Sequence, residues 1–410
     1  MMAGQDTFDY EIEQITFGPK NHFFGYIGHA GTIAWNATNR YILSLRTTFQ
    51  DHMPGPGETA DIVLIDTENG YAIEPIDQTC GWNPQQGTMF FWNPTSAETQ
   101  FFFNDRDPNS GKIFTVLFDI EQKKRIREYH YDNVSFGNSG VAQKGTWFLG
   151  INYARLARLR LVTGYKGSLD WTENVAHPED DGIFRVHIDS GEKELIVTFS
   201  SLREALINGG KSKVGALFIN HTLWNRNDEK IYFYVRSGYD GSLAKLPKPL
   251  RDALKVNTPF TVNPDGSNLT EQKYLGGHPE WEKGTHLLAC KDGKLIIYDT
   301  DKKEIIDQVA DPTIIEDPTG DSALSPDGNW VVTGYGKNGH NIWVVYSRLD
   351  GRWIRTPSYD QRPYIGGGSI SSELRSDPAP LWNRDGTKVL FPSLTPDGSR
   401  QLHIIHLKIK

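Results

Sequence analysis

The sequence predicts an all-β protein: a seven-bladed β-propeller spanning residues 1–410 as one domain, closed by pairing of its N- and C-terminal strands. Three observations carry that prediction. A turn–strand unit, led by Trp in five of its copies, recurs seven times, the spacing of the copies suits propeller blades, and both ends of the chain read as strands. The clearest copy is 379–392, APLWNRDGTKVLFP, in which Trp382 precedes a turn at 383–386 and an alternating strand at 388–391. The Asp385-Gly386 pair supplies the positive-φ residue that a tight hairpin turn needs. One such unit cannot bury its own apolar face, so the copies must pack on one another.

The other copies follow in chain order. Trp35 precedes a turn and the strand at 41–43, and Trp92 precedes 100–103. The most degenerate copy, 140–145, precedes Trp147. Trp224 leads to 230–233, Trp281 to 286–288, and a Ser-Pro-Asp-Gly turn at 325–328 to 330–332. Trp35, Trp92, Trp224, Trp281 and Trp382 are therefore expected at equivalent positions in their blades. Trp35 to Trp92 and Trp224 to Trp281 are both 57 residues, whereas Trp147 to Trp224 is 77. An all-strand repeat of this length fits a blade better than a helical solenoid. The long interval must hold an insertion, placed around 152–182, and a smaller polar one is expected around 241–258. Residues 201–207 read as a short helix, with Ser201 and Glu204 in capping-box spacing. DYEIEQIT at 9–16 and QLHIIHLKIK at 401–410 alternate as strands and can share one blade, which removes free sheet edges.

Composition narrows the partners. The 11 Trp, 17 Tyr and 20 Phe supply large side chains for inter-blade layers, and 40 Gly with 22 Pro suit many turns. A net charge of −8 without a basic stripe argues against nucleic acid. An anionic ligand is still compatible, provided a local arginine cluster overrides the global field. Cys80 and Cys290 have neither metal-ligand nor disulfide-framework spacing. No apolar leader opens the sequence and no stretch is long enough to span a membrane, so the expected location is the cytoplasm, or the periplasm or exterior if a leader was trimmed.

Polar residues flanking the repeated strands are the candidates for a site at the channel mouth. They are His29, Gln86, Asn104, Arg106, Tyr153, Arg155, Arg158, Asn220, His221, Arg236, His278 and Asp377. Three arginines at 155, 158 and 160 follow directly from an apolar strand. A charge run usually makes a solvated face, but loops leaving a rigid scaffold are where function collects. His221 and His278 each stand three residues before an anchor Trp, so radial symmetry brings them toward one axis. They can share a divalent metal (Zn²⁺, Mn²⁺ or Ca²⁺) with Asp321 and Asp377 as further ligands, or each can simply bond a neighbouring blade. The triplet Gly366-Gly367-Gly368 reads as a flexible loop rather than an anion cradle, since no strand-to-helix context surrounds it.

Taken together, Trp-Asn-Pro-Gln-Gln-Gly at 82–87, Asn-Asp-Arg at 104–106, Asn-Tyr-Ala-Arg-Leu at 152–156, Glu-Asp-Asp-Gly-Ile at 179–183 and Asn-His at 220–221 resemble the seven-bladed polysaccharide lyases of the oligogalacturonate-lyase-like and ulvan-lyase-like kind. The resemblance implies β-elimination on a uronic-acid-containing saccharide, which needs a base at C5, an acid at the leaving oxygen and a group that receives the carboxylate. It casts Tyr153 as acid or base, and Arg155, Arg158 or Arg106 as the carboxylate's partner, with Gln86, Asn104 and Arg236 contacting substrate. The chain departs from the family in having no histidine between His52 and His130. Either Tyr153 does both jobs, or His29 or His221 supplies the base, or the protein binds saccharide without cleaving it. A protein-interaction scaffold of the WD-repeat kind is the third reading, disfavoured because no Trp-Asp strand endings recur.

Overall fold

A computed structural model describes residues 8–26, 28, 29, 31–361 and 374–408. The glycine triplet at 366–368 lies outside them. The described residues form seven sheets, each an antiparallel meander of four strands, with a short extra strand on the sixth. The seventh blade contains Leu381–Trp382, Lys388–Leu394 and Arg400–Lys408, and its outermost strand is the N-terminal Asp9–Gln14. Asp9 pairs with Lys408 and Gln14 with His403, so the two ends of the chain close the ring as the sequence predicts.

The five tryptophans occupy one structural position. Each pairs across the turn with a core residue of the next strand: Trp35 with Ile42, Trp92 with Phe101, Trp224 with Ile231, Trp281 with Leu287 and Trp382 with Val389. All five are buried. Three of their indole N–H groups also join neighbouring blades, while those of Trp35 and Trp224 have no partner among the described residues. Trp92 donates to Ala34 O, Trp281 to Leu223 O and Trp382 to Ala323 O, in each case reaching the residue before the same position of the preceding blade. At three of the five positions the repeat is thus an inter-blade device as well as a core residue.

Among the described residues, three helices decorate the ring. Helix α1 (Tyr153–Leu159) and a 3₁₀ turn (Leu161–Thr163) lie between the second and third strands of the third blade. Helix α2 (Phe199–Asn208) follows the same blade, and α3 (Lys248–Leu254) sits between the second and third strands of the fourth. The start of α2 differs from the sequence expectation. Its cap is Thr198, whose hydroxyl accepts from Ser201 N at 2.9 Å, and Ser201 rather than Glu204 closes the reciprocal bond. A hydroxyl three residues in can do this work as well as the longer carboxylate.

Residues 24–26, 28, 29 and 31–34 follow the innermost strand of the first blade and cross the centre of the ring. Gly25 lies on the Gln86-Gly87 backbone, Tyr26 reaches His221, Gly28 N–H donates to Pro380 O at 3.1 Å, and Gly31 packs against Gln143. A segment touching the inner strands of opposite blades must lie on the axis, so it plugs the channel. A Cβ on Gly28 would stand 2.6 Å from Pro380 O and 2.9 Å from Leu381 Cα, both backbone atoms. Only glycine permits that approach.

Two histidines are buried at blade seams, His22 between the first and seventh blades and His403 beside Tyr359 of the sixth. His22 Nδ1 meets Gln401 Oε1 at 3.0 Å, and His403 stacks on Phe391 with ring centroids 5.2 Å apart. Burial lowers both imidazoles to about 4. They are neutral in the folded protein but protonate near 6.5 once unfolded. Stability from this pair is therefore complete above about pH 6.5 and declines as acid protonates the unfolded chain first. By about pH 5 the loss should be on the order of 2 kcal/mol per histidine. Urea unfolding at neutral and mildly acid pH will show it, and His22→Gln should flatten part of the slope.

Candidate functional site

At one mouth of the plugged channel, loops from five blades and the 3₁₀ turn after α1 surround a narrow slot. Its walls include Tyr26 from the plug, Gln86, Arg160, His221, His278 and Asp377. The slot holds about 30 Å³, room for a water or a carboxylate but not a sugar ring. Three histidines meet here. The His221 and His278 rings are 5.3 Å apart edge to face, and His29 lies 6.5 Å from His221. Residue 221 has φ 58°, a left-handed backbone that turns its ring out of the strand and toward the axis.

The three rings have different surroundings. His221 Nδ1 is 3.1 Å from the Tyr26 hydroxyl, and burial, with His278 and Arg236 nearby, holds its imidazole well below the usual range. If Nδ1–H donates to Tyr26, Nε2 carries the lone pair that a general base requires. His278 Nδ1 lies 2.7 Å from the buried Asp321 carboxylate, which also accepts from Ala379 N–H at 2.9 Å. Burial works to raise the Asp321 carboxyl, yet His278 and the Ala379 N–H bring it below its ordinary value. His29 is 4 % exposed and neither ring nitrogen has a hydrogen-bond partner among the described residues. Burial lowers it to about 3, so it is a neutral ring beneath the slot.

Arginines surround the opening, and they are not equivalent. Arg375 pairs with Asp377 at 2.8 Å. Arg236 donates to Asn257 Oδ1 at 2.8 Å and lies over the Tyr234 ring. Arg160, which ends α1, has no hydrogen bond or ion pair from its guanidinium among the described residues. The guanidinium lies over the Tyr239 ring, 5.3 Å away, with Asp377 near enough to favour its charge but itself paired with Arg375. Burial and the charge of Arg236 depress it to about 10, which still leaves it cationic at neutral pH. A half-buried cation lacking a counter-ion, placed beside another arginine, is electrostatically unsatisfied and suited to receiving an anion.

Several residues singled out from sequence are committed elsewhere. The Tyr153 hydroxyl donates to Asn138 O at 3.0 Å, its ring stacks on Tyr165 at 4.4 Å, and only 1 % of the residue is exposed. Burial pushes its phenol well above the ordinary value, so it is a poor proton carrier where it stands. Arg155 is spent on carbonyls of the insertion and on Leu217 O at 2.6 Å, with its face over Phe199. Arg158 pairs with Asp170 at 2.9 Å, and Arg106 donates to Lys166 O at 3.1 Å. Asn104 bonds Asn138 through both its oxygen and its nitrogen. These five side chains hold the insertion and the inner strands together, and none lines the slot. Gln86, His221, His278 and Asp377 do, with His29 and Asp321 immediately behind them. The sequence reading passed over Tyr26 and Arg160. Arg160 was visible as the third arginine of its run, but helix geometry turns Arg155 inward and leaves only the last one at the axis.

The metal expectation finds no ready-made cage. Among the described residues no three His, Cys, Asp or Glu side chains are arranged to hold an ion. His221 and His278 direct Nδ1 to Tyr26 and Asp321 respectively, and Asp377 is engaged by Arg375.

The fold has counterparts among solved structures. The chain is similar to an oligogalacturonate lyase from Vibrio parahaemolyticus, with a TM-score of 0.61 over 98% of this chain and 97% of that one, at 14% identity. The likeness is one of fold. The β-propeller domain of Myceliophteria thermophila Cps50 (Swd1) also aligns, with a TM-score of 0.48 over 95% of this chain and 99% of that one, at 12% identity. No protein-family model matches the chain, and no curated protein does. No helix among the described residues is long and apolar enough to cross a membrane.

Proposed function

We propose that the slot binds the carboxylate of a uronosyl residue and that the protein cleaves an anionic saccharide by β-elimination. The observation that supports this reading most is Arg160, a cation without a partner, in the same slot as the neutral imidazole of His221. Seating the carboxylate on Arg160 spreads the charge that builds when the adjacent C5 proton leaves. His221 Nε2 takes that proton. The C5–H electron pair forms the C4–C5 double bond, and the C4–O4 pair leaves with O4. His278, oriented by Asp321, delivers a proton to that oxygen. Two imidazoles in unlike environments thus divide the base and acid roles. The lyase that shares the fold is named for chemistry of the same class.

The test is a panel of uronic oligosaccharides followed by ultraviolet absorbance, since elimination creates a conjugated unsaturated product. The expected result is a signal with at least one uronate, abolished in His221→Gln. A panel that yields bound saccharide but no unsaturated product would replace the lyase with a saccharide-binding propeller.

A further inference from the structure

Residues 238–255 join the second and third strands of the fourth blade, Ile231–Ser237 and Val256–Val262, which pair as far as Ser237 opposite Val256. Two strands paired to their ends need only a short turn. The extra chain adds no core of its own, since α3, which it contains, buries none of its residues. What it brings to the channel mouth is Tyr239 at one end and Lys255 at the other, both half-buried. The Tyr239 ring is fixed from two directions. Phe218, buried on the blade's innermost strand, meets it edge to face at 5.7 Å, and the Lys255 ammonium stands 3.9 Å from its centroid. Lys211 Nζ donates to Lys255 O at 3.3 Å and anchors that end. The Arg160 guanidinium lies over the same ring at 5.3 Å.

An aromatic face and a carboxylate hold a cation in different ways. The ring's quadrupole attracts the cation but carries no net charge, so the guanidinium is located without being neutralised. Its N–H donors also stay free to fork onto an anion. Asp377 lies within electrostatic reach of Arg160, and an ion pair with it would spend both the charge and the donors. The long arginine side chain can swing to such a partner unless something else holds it. Resting on the carboxylate assignment of the slot, we infer that Tyr239 is a positioning residue whose ring holds Arg160 at the slot, away from Asp377 and ready for an anion. Lys255 pins the ring and adds a second positive charge beside it. The Tyr239 hydroxyl makes no hydrogen bond among the described residues, so the ring is the working part.

Calorimetric titration with galacturonate tests this. Tyr239→Leu removes the ring and should weaken binding about tenfold, within the span of a cation–π contact. Tyr239→Phe keeps the ring and should bind within about twofold of the wild type. In an Arg160→Met background, Tyr239→Leu should cost nothing further, because the ring acts through the arginine. A second readout needs no ligand. The Arg160 Nε–Hε resonance, assigned by its loss in Arg160→Met, should move when Tyr239→Leu removes the ring current, while the other signals stay in place and show that the variant is folded. Unchanged affinity in Tyr239→Leu, an equal loss in the Arg160→Met background, or Tyr239→Phe binding as weakly as Tyr239→Leu overturns the positioning role and leaves the slot assignment standing. A wild type that binds no galacturonate overturns the slot assignment, and an Arg160 resonance indifferent to Tyr239→Leu overturns the positioning role whether or not galacturonate binds.

Discussion

Arg155→Met should destabilise the protein by about 4 kcal/mol in denaturant unfolding, more than a typical core truncation. The guanidinium donates to Leu217 O, Val175 O, Ala176 O and both oxygens of Thr172, with distances from 2.6 to 3.3 Å. Methionine fills much of the same volume but leaves those acceptors buried and unpaired, at about 1–3 kcal/mol for each that finds no water. The neighbouring carboxylates add to the loss. Burial raises Asp181 to about 6, and Arg155 is one of the influences holding it down. Arg155→Lys should rescue little, because an ammonium cannot span a fork of carbonyls that the planar guanidinium matches. A midpoint shift worth less than about 1 kcal/mol would mean that water replaces the arginine readily, and that the insertion is held by its apolar contacts. The same bonds tie α1 to the start of the fourth blade, so the variant should also loosen the support from which Arg160 reaches the slot.

How far the sequence could be read depends on which physical signal each part leaves. The blades were legible because a buried tryptophan followed by a turn recurs at one structural position, and at three of the five its inter-blade hydrogen bond ties the pattern to the fold. Closure of the ring was legible from strand alternation at the two ends. The plug was not, because its signal is three glycines whose need is set by atoms more than fifty residues away, the backbones of Gly87 and Pro380 and the side chain of Gln143. Radial symmetry correctly brought His221 and His278 to one axis. It could not give the orientation of their rings, since that follows from the left-handed backbone at His221 and from Asp321. The arginine run shows the same limit. Residues 155, 158 and 160 look alike in sequence, yet α1 buries the first, pairs the second and frees the third.

That difference makes the sharpest functional prediction. Arg160→Met should lower kcat/KM for elimination by roughly 10²–10³-fold, equivalent to about 3–4 kcal/mol of lost transition-state stabilisation. Its melting temperature should match the wild type, since no protein bond is removed. Tyr153→Phe should behave in the opposite way. Its hydroxyl bonds only Asn138 O, so the variant should lose about 1 kcal/mol of stability and keep its rate within about threefold. The pair of variants separates a residue that faces substrate from one that braces the fold, using the same two measurements on each. If Tyr153→Phe abolished elimination while Arg160→Met left it intact, the phenol would have to leave Asn138 and enter the slot during turnover. The channel mouth would then rearrange on binding, and the acid and base roles assigned to the two histidines would pass to the tyrosine.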